Sequence, residues 1–242
     1  MPPLVDDYAV QRRRLVEELE RLGFIRSEKV KRAMLRVPRE IFVPDPYKDM
    51  AYDDTPLPIG LGQTISAPSI VAYMIELLDP DKGMKALEVG LGSGYAAAVL
   101  AEVVAPSDAP KSEWGHVYGI EYYEELAKRA RENLRKAGYL DRVTVVVGDG
   151  SKGLPEHAPF DRILVSAAAP FIPEPLVEQL SDPGRMVIPV GEILGQRLYI
   201  VEKRGGTVRV LPDIEVLFVP LHVGEGVKPF RGGVFPDPWG AV

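Results

Sequence analysis

Residues 56–74 read PLPIGLGQTISAPSIVAYM, and the centre of that run, GQTISAP at 62–68, packs Gln63, Thr64 and Ser66 between glycine and proline. The run contains no His, Cys, Asp, Glu, Lys or Arg. It offers hydroxyls, an amide and backbone N–H groups, but no general acid or base suited to neutral pH. Chemistry built on it must work by positioning. A second group starts at LEVGLGSGY, Leu87 to Tyr95, where Gly90, Gly92 and Gly94 allow a sharp turn and a close approach to a bound molecule. Tyr95 stands where the dinucleotide pattern G-x-G-x-x-G needs its third glycine, so that pattern fails. Glu121 ends HVYGIE, where a carboxylate can accept hydrogen bonds from two ribose hydroxyls. Asp149, in GDG at 148–150, can accept from an adenine amino group, with Gly150 allowing close approach, or can serve as a turn or cap residue. Gly90 to Glu121 is longer than the usual gap of ~20 residues. The Pro/Ser/Asp-rich stretch 105–115 reads as a loop insertion that explains it.

These residues need a frame. Val10, Leu15, Leu19 and Leu22 predict a helix over 7–22, and Ser27 caps a second with Val30, Met34 and Val37 on one face. Residues 39–62 read as irregular, and 69–78 as helical again. From Lys85 onward, short apolar segments (KALEVG, HVYGIE, RVTVVVG, FDRILVSA) alternate with helices over 94–104, 124–137 and about 173–180. That alternation predicts an α/β fold with a doubly wound, mostly parallel sheet. GRMVIPVG and QRLYIVEK, with a tight Gly205–Gly206 turn after them, predict antiparallel edge strands. N-terminal helices complete the fold.

The chain of 242 residues carries a formal charge of -6, no Cys, 46% hydrophobic residues and a mean hydropathy of -0.02. One domain is expected: helices and substrate loop over 1–84, cofactor sheet over 85–222, and a tail over 223–242. No apolar run approaches the ~18 residues of a membrane span. The N-terminus lacks a signal-peptide core. A cytoplasmic monomer with no membrane partner is expected. The acidic balance argues against nucleic acid. A single Asn, Asn133, and four Gln match a thermophile composition. His116, His157 and His222 show no metal-ligand spacing.

VPREIFVP, PLPIGLGQTISAP, LEVGLGSGY, GRMVIPVG, FVPL and the long run GDGSKGLPEHAPFDRILVSAAAPFIPEPLVEQL together resemble the class I S-adenosylmethionine-dependent methyltransferases with a Rossmann-like sheet. Within them, the sequence resembles the protein-L-isoaspartate O-methyltransferase family. GQTISAP with SAAAP is the specific part; the glycine motif is widely shared. The resemblance implies methyl transfer from S-adenosyl-L-methionine, leaving S-adenosyl-L-homocysteine, to the free α-carboxylate of isoaspartyl residues in damaged proteins and peptides, with no metal. It implies Ser66 as the catalytic residue and Thr64, Ile65 and Ser66 at the substrate. It implies Gln63, Glu88, Gly90, Gly92, Ser93, Gly94, Glu121, Asp149 and Gly150 at the cofactor. Ser66 can instead cap the helix that follows it, and a hydroxyl can do both. Ser69 departs from the bulkier residue more usual there, so no role is carried over to it. No counterpart in the family is placed for the tail 223–242.

Three rivals remain. An S-adenosylmethionine-dependent RNA methyltransferase shares the fold, but enzymes that methylate exocyclic base amines carry N/D-P-P-Y/F where this chain reads SAAAPF, Ser166 to Phe171. An NAD-dependent dehydrogenase is opposed by Tyr95. A non-catalytic binding module is opposed by the intact glycines, Glu121 and Ser66.

Overall fold

The computed structural model describes residues 8–192 and 195–233. The first residue of the expected first helix, Asp7, and the tail beyond 233 lie outside the described residues. Helices α1 (Tyr8–Arg21) and α2 (Glu28–Arg36) form where the apolar spacing puts them. Leu15, Val16 and Leu19 of α1 and Val30, Ala33 and Met34 of α2 are buried, and Ser27 accepts from the Val30 N–H at 3.3 Å. The opening run is not a plain loop. It folds as a hairpin of β1 (Leu57–Gly60) and β2 (Gln63–Ile65), with Leu57 opposite Ile65 and Pro58 opposite Thr64. Gly60, Leu61 and Gly62 all have positive φ (96°, 53° and 71°), which two glycines make accessible. Leu57, Ile59 and Ile65 anchor the hairpin in the core, and Arg129 donates to the Ile59 carbonyl at 3.0 Å.

Helix α3 (Pro68–Leu78) follows, then β3 (Lys85–Val89), α4 (Tyr95–Val104), β4 (His116–Glu121), α5 (Glu124–Lys136), β5 (Val143–Val147), β6 (Phe160–Val165), α6 (Glu174–Glu178), β7 (Leu180–Val190), β8 (Gln196–Arg204) and β9 (Thr207–Val216). The sheet order is β5-β4-β3-β6-β7-β8-β9. Strands β5 to β7 are parallel, and β8 and β9 add antiparallel at one edge. This is the doubly wound sheet with antiparallel edge strands that the alternation predicts. Helix α6 is shorter than expected because β7 begins at Leu180, upstream of GRMVIPVG. Ala86 to Val89 of β3 are all buried, since an apolar cluster covers each face of the sheet. The described start of the tail packs back on the body: Phe230 N–H donates to the Ile172 carbonyl at 2.8 Å. Among the described residues, no helix is long and apolar enough to cross a membrane.

The start of α3 is held from a distance. Its N-cap residue, Ala67, has no capping side chain, and Asp54 Oδ1 instead accepts the Ser69 N–H at 2.9 Å. A carboxylate at a helix N-terminus also meets the positive end of the helix dipole. Ser66 therefore does not act as the cap. Asp54→Ala is expected to cost about 0.5–2 kcal/mol of stability, read by denaturant unfolding, with most of the loss recovered in Asp54→Asn.

Candidate active site

The sheet reverses its winding direction at β3, between β4 and β6. In an open α/β sheet the crevice at such a point, beyond the carboxyl ends of the strands, is where ligands bind. Gln63, Glu88, Gly90, Gly92, Ser93, Glu121 and Gly150 line two neighbouring cavities there, whereas Gly94 and Asp149 line neither. The glycine turn after β3 is tied to its neighbours: Gly90 N–H donates to the Ile120 carbonyl at 3.0 Å, and Ser166 N–H to the Val89 carbonyl at 2.8 Å. Gly90, Gly92 and Gly94 take φ of 83°, 54° and 88°, values that favour glycine. Gly94 begins α4, and a Cβ there would meet Leu134 at 3.3 Å, so it permits close packing of α4 on α5.

Glu121 is 5% exposed, and its carboxylate faces the turn. Oε2 accepts the Gly92 N–H at 2.8 Å, and Oε1 accepts the Tyr123 N–H at 3.0 Å. Each oxygen keeps a second lone pair for a ligand hydroxyl. Gln63, Gly90, Gly92, Glu121 and Gly150 line one cavity. Tyr122 and His222 close its rim, stacked with ring centroids 4.0 Å apart. Asp149 works locally as a cap, with Oδ1 accepting from Ser151 N–H at 3.0 Å and Ser151 Oγ at 2.6 Å. Its Oδ2 is buried without a hydrogen-bond partner, 3.6 Å from Lys152 Nζ. Gly224 of the tail lies against it; a Cβ there would stand 2.0 Å from Oδ2.

Glu88 is 1% exposed. Oε1 accepts from Ser166 Oγ at 2.8 Å, while Oε2 has no partner. Burial, only partly offset by the Ser166 hydroxyl and reinforced by Glu121, pushes its carboxyl pKa up to about 8. Glu88 shares a second cavity with Ile65, Ser66, Gly90, Ser93 and Ser166. Beyond it lies a third, lined by Thr64, Ser66, Ser166, Leu217, Phe218 and others, none of them charged. Ser66 and Ser166 line both, so their hydroxyls stand at the junction. The Ser66 side chain has no hydrogen-bond partner among the described residues.

The sequence reading missed Ser166 and Tyr122 as lining residues, and took His222, after FVPL, to approach the site without direct chemistry. SAAAP and FVPL were the signals for Ser166 and Phe218; Tyr122, next to Glu121, had none. The donor set suits a nucleoside with a cationic amino-acid arm: glycine N–H groups, a carboxylate with free lone pairs, and two buried carboxylate oxygens lacking hydrogen-bond partners. No group of three His, Cys, Asp or Glu residues among the described residues could hold a metal ion.

The family model of protein-L-isoaspartate(D-aspartate) O-methyltransferase matches residues 10–226. A protein-L-isoaspartate O-methyltransferase of Hyperthermus butylicus is 65% identical over 215 residues, covering 88% of this chain and 89% of its own. One of Aeropyrum pernix is 58% identical over 221 residues, 91% of this chain and 82% of its own. A solved protein-L-isoaspartate O-methyltransferase structure from Plasmodium falciparum, in complex with S-adenosyl-L-homocysteine, superposes with a TM-score of 0.76 at 29% identity, over 87% of this chain and 98% of that one. The converging strand ends, the neutral serine junction and these likenesses agree: the chain belongs to the protein-L-isoaspartate(D-aspartate) O-methyltransferase family.

Proposed function

We propose that this chain transfers a methyl group from S-adenosyl-L-methionine to the free α-carboxylate of L-isoaspartyl residues in damaged proteins and peptides, the first step of their return to aspartate through a succinimide. The observation that carries the reading is the junction at Ser66 and Ser166. It joins the cavity that reaches Glu88 and the glycine turn to a pocket with no charged lining.

The substrate carboxylate is already ionised at neutral pH, its reference pKa lying near ~3.5. It is the nucleophile, so no base has to take a proton. When bound, the cofactor supplies an activated methyl group on a sulfonium, so no acid has to assist the leaving group. What remains for the protein is alignment and exclusion of water. Ser66, with a hydroxyl free of other partners, orients the attacking carboxylate. Thr64 and Ile65 line the substrate side, and Gln63 lines the cofactor side. The absence of cations matters, because an arginine would form a charge-assisted pair with the nucleophile and stabilise its ground state. Glu121 receives the ribose hydroxyls while fixing the turn through Gly92. Glu88, Gly90, Gly92, Ser93 and Gly150 border the cofactor. Gly94 sets the entry of α4 behind it, and Asp149, whose Oδ2 lies beside Lys152 and Gly224 without a hydrogen-bond donor, is assigned to the adenine amino group.

Glu121→Ala removes hydrogen bonds to a charged acceptor, worth about 1.5–3 kcal/mol. Affinity for S-adenosylmethionine should fall tenfold or more on a folded variant, as read by calorimetry; unchanged affinity would remove Glu121 from the cofactor site. Ser66→Ala should lower kcat more than it weakens cofactor binding, because orientation counts most in the transition state. Unchanged kcat would end the catalytic assignment, and the loss cannot be laid to a missing helix cap, which Asp54 provides.

Substrate choice follows from the same geometry. Normal aspartate carries its free carboxylate one methylene further from the backbone than isoaspartate. A displacement of about 1 Å can cost on the order of a hundredfold in such a site. With labelled cofactor, transfer should reach an isoaspartyl peptide, be barely detectable on the aspartyl isomer or on RNA, and persist in EDTA. Equal labelling of the two peptides, preferential labelling of RNA, or loss in EDTA reversed by a divalent ion would each contradict this function.

A further inference from the structure

The mechanism places Glu88 beside the cofactor but gives its charge state no part. Glu88 sits at the end of β3 with essentially no exposure, one carboxyl oxygen bonded to a neutral hydroxyl and the other to nothing. The surroundings are neutral or acidic on every side. From β4 comes Glu121, from β6 the Ser166 hydroxyl, and from α4 the Ala97 N–H. The Tyr95 ring, Ser93 and the hairpin's Ser66 line the same cavity, and no cationic side chain does. An ionised carboxylate there would be desolvated, unpaired and repelled by Glu121. A ligand that brings a positive charge into the cavity reverses each of those conditions.

We propose that Glu88 is a neutral carboxylic acid in the empty protein and gives its proton to solvent when the ammonium group of the cofactor's amino-acid arm enters the cavity, so that cofactor binding releases a proton. The inference rests on the cofactor reading above. One O–H bond breaks, the proton passes to buffer, and the carboxylate left behind pairs with the ligand's cation. Selectivity follows: a nucleoside without a cationic arm meets a neutral acid and gains nothing from it.

The test titrates the intact protein with S-adenosylhomocysteine by calorimetry, in buffers of different ionisation heat. With the Glu88 carboxyl raised to about 8, release should be about one proton per site between pH 6 and 7, and Kd should tighten about tenfold over that unit. Glu88→Gln should bind more weakly and release none. Adenosine, lacking the arm, should bind without proton release. The empty protein gives a second readout. A carboxyl raised on folding penalises the charged form, so stability should decline as pH climbs from the unfolded value of about 4.5 towards 8, and that part of the decline should vanish in Glu88→Gln. Tight binding with no proton release and a flat Kd would overturn the inference and leave the cofactor reading standing. Release that persists in a folded Glu88→Gln would assign it to another group and overturn it too. No detectable binding by the unaltered protein would overturn the cofactor reading itself, and this inference with it. Should Glu88→Gln fail to fold, the pH dependence of Kd in the unaltered protein still decides.

Discussion

The hydrogen bond from the Gly92 N–H to the Glu121 carboxylate, 2.8 Å long, is the contact on which the site depends. A turn that swings through three positive-φ glycines exposes backbone N–H groups that must find acceptors. A buried carboxylate must find donors. Each meets the other's need, and the contact fixes the end of β4 against the turn after β3 across the point where the sheet reverses. The Tyr123 N–H adds a second bond at 3.0 Å, so the Glu121 side chain is already locked before any ligand arrives.

Two buried glutamates show how much environment decides. Glu102 accepts from Arg36 at 2.8 Å, Arg142 at 3.1 Å, Ser107 Oγ at 2.6 Å and Tyr139 at 3.0 Å. Burial works to raise its pKa, but these partners outweigh it and hold the carboxyl below its ordinary value. It ties the 105–115 insertion to α2 and the end of α4. Glu88, also buried, has only neutral donors, the Ser166 hydroxyl and the Ala97 N–H, and an acidic neighbour, and its pKa goes the other way. The first is a structural ion-pair centre; the second has no cationic partner and keeps one oxygen without a donor.

The hairpin of β1 and β2 solves a related problem. A site that works by positioning needs stiffness without charge. The apolar anchors Leu57, Ile59 and Ile65 lock the hairpin from below, Arg129 holds it through a backbone carbonyl from the side, and Asp54 fixes the helix that begins just past Ser66. Charged groups thus act on the segment from outside, through its backbone, while the residues that face the junction stay neutral.

Much of this was legible in the chain. Alternating apolar segments and helices determined the doubly wound sheet, because the periods of strand and helix are local properties. Gly90, Gly92, Glu121 and Gly150 could be named because ligand sites of such sheets sit at strand ends in a fixed order along the sequence. The lack of charge in residues 62–68 was visible as composition, and it already pointed to catalysis by positioning. The hairpin was not visible, since a strand of three residues, Gln63–Ile65, carries too little alternation to be told from a loop. Nor were the Asp54 cap, separated by 15 residues from Ser69, or the Ser166 hydroxyl on Glu88, separated by 78. Such pairings depend on which strand ends the sheet brings side by side. For the same reason the sequence could list Glu88 as a cofactor residue but could not say in what protonation state. Its charge is set by what surrounds it in space: burial, the Ser166 hydroxyl, the Ala97 N–H and the neighbouring Glu121.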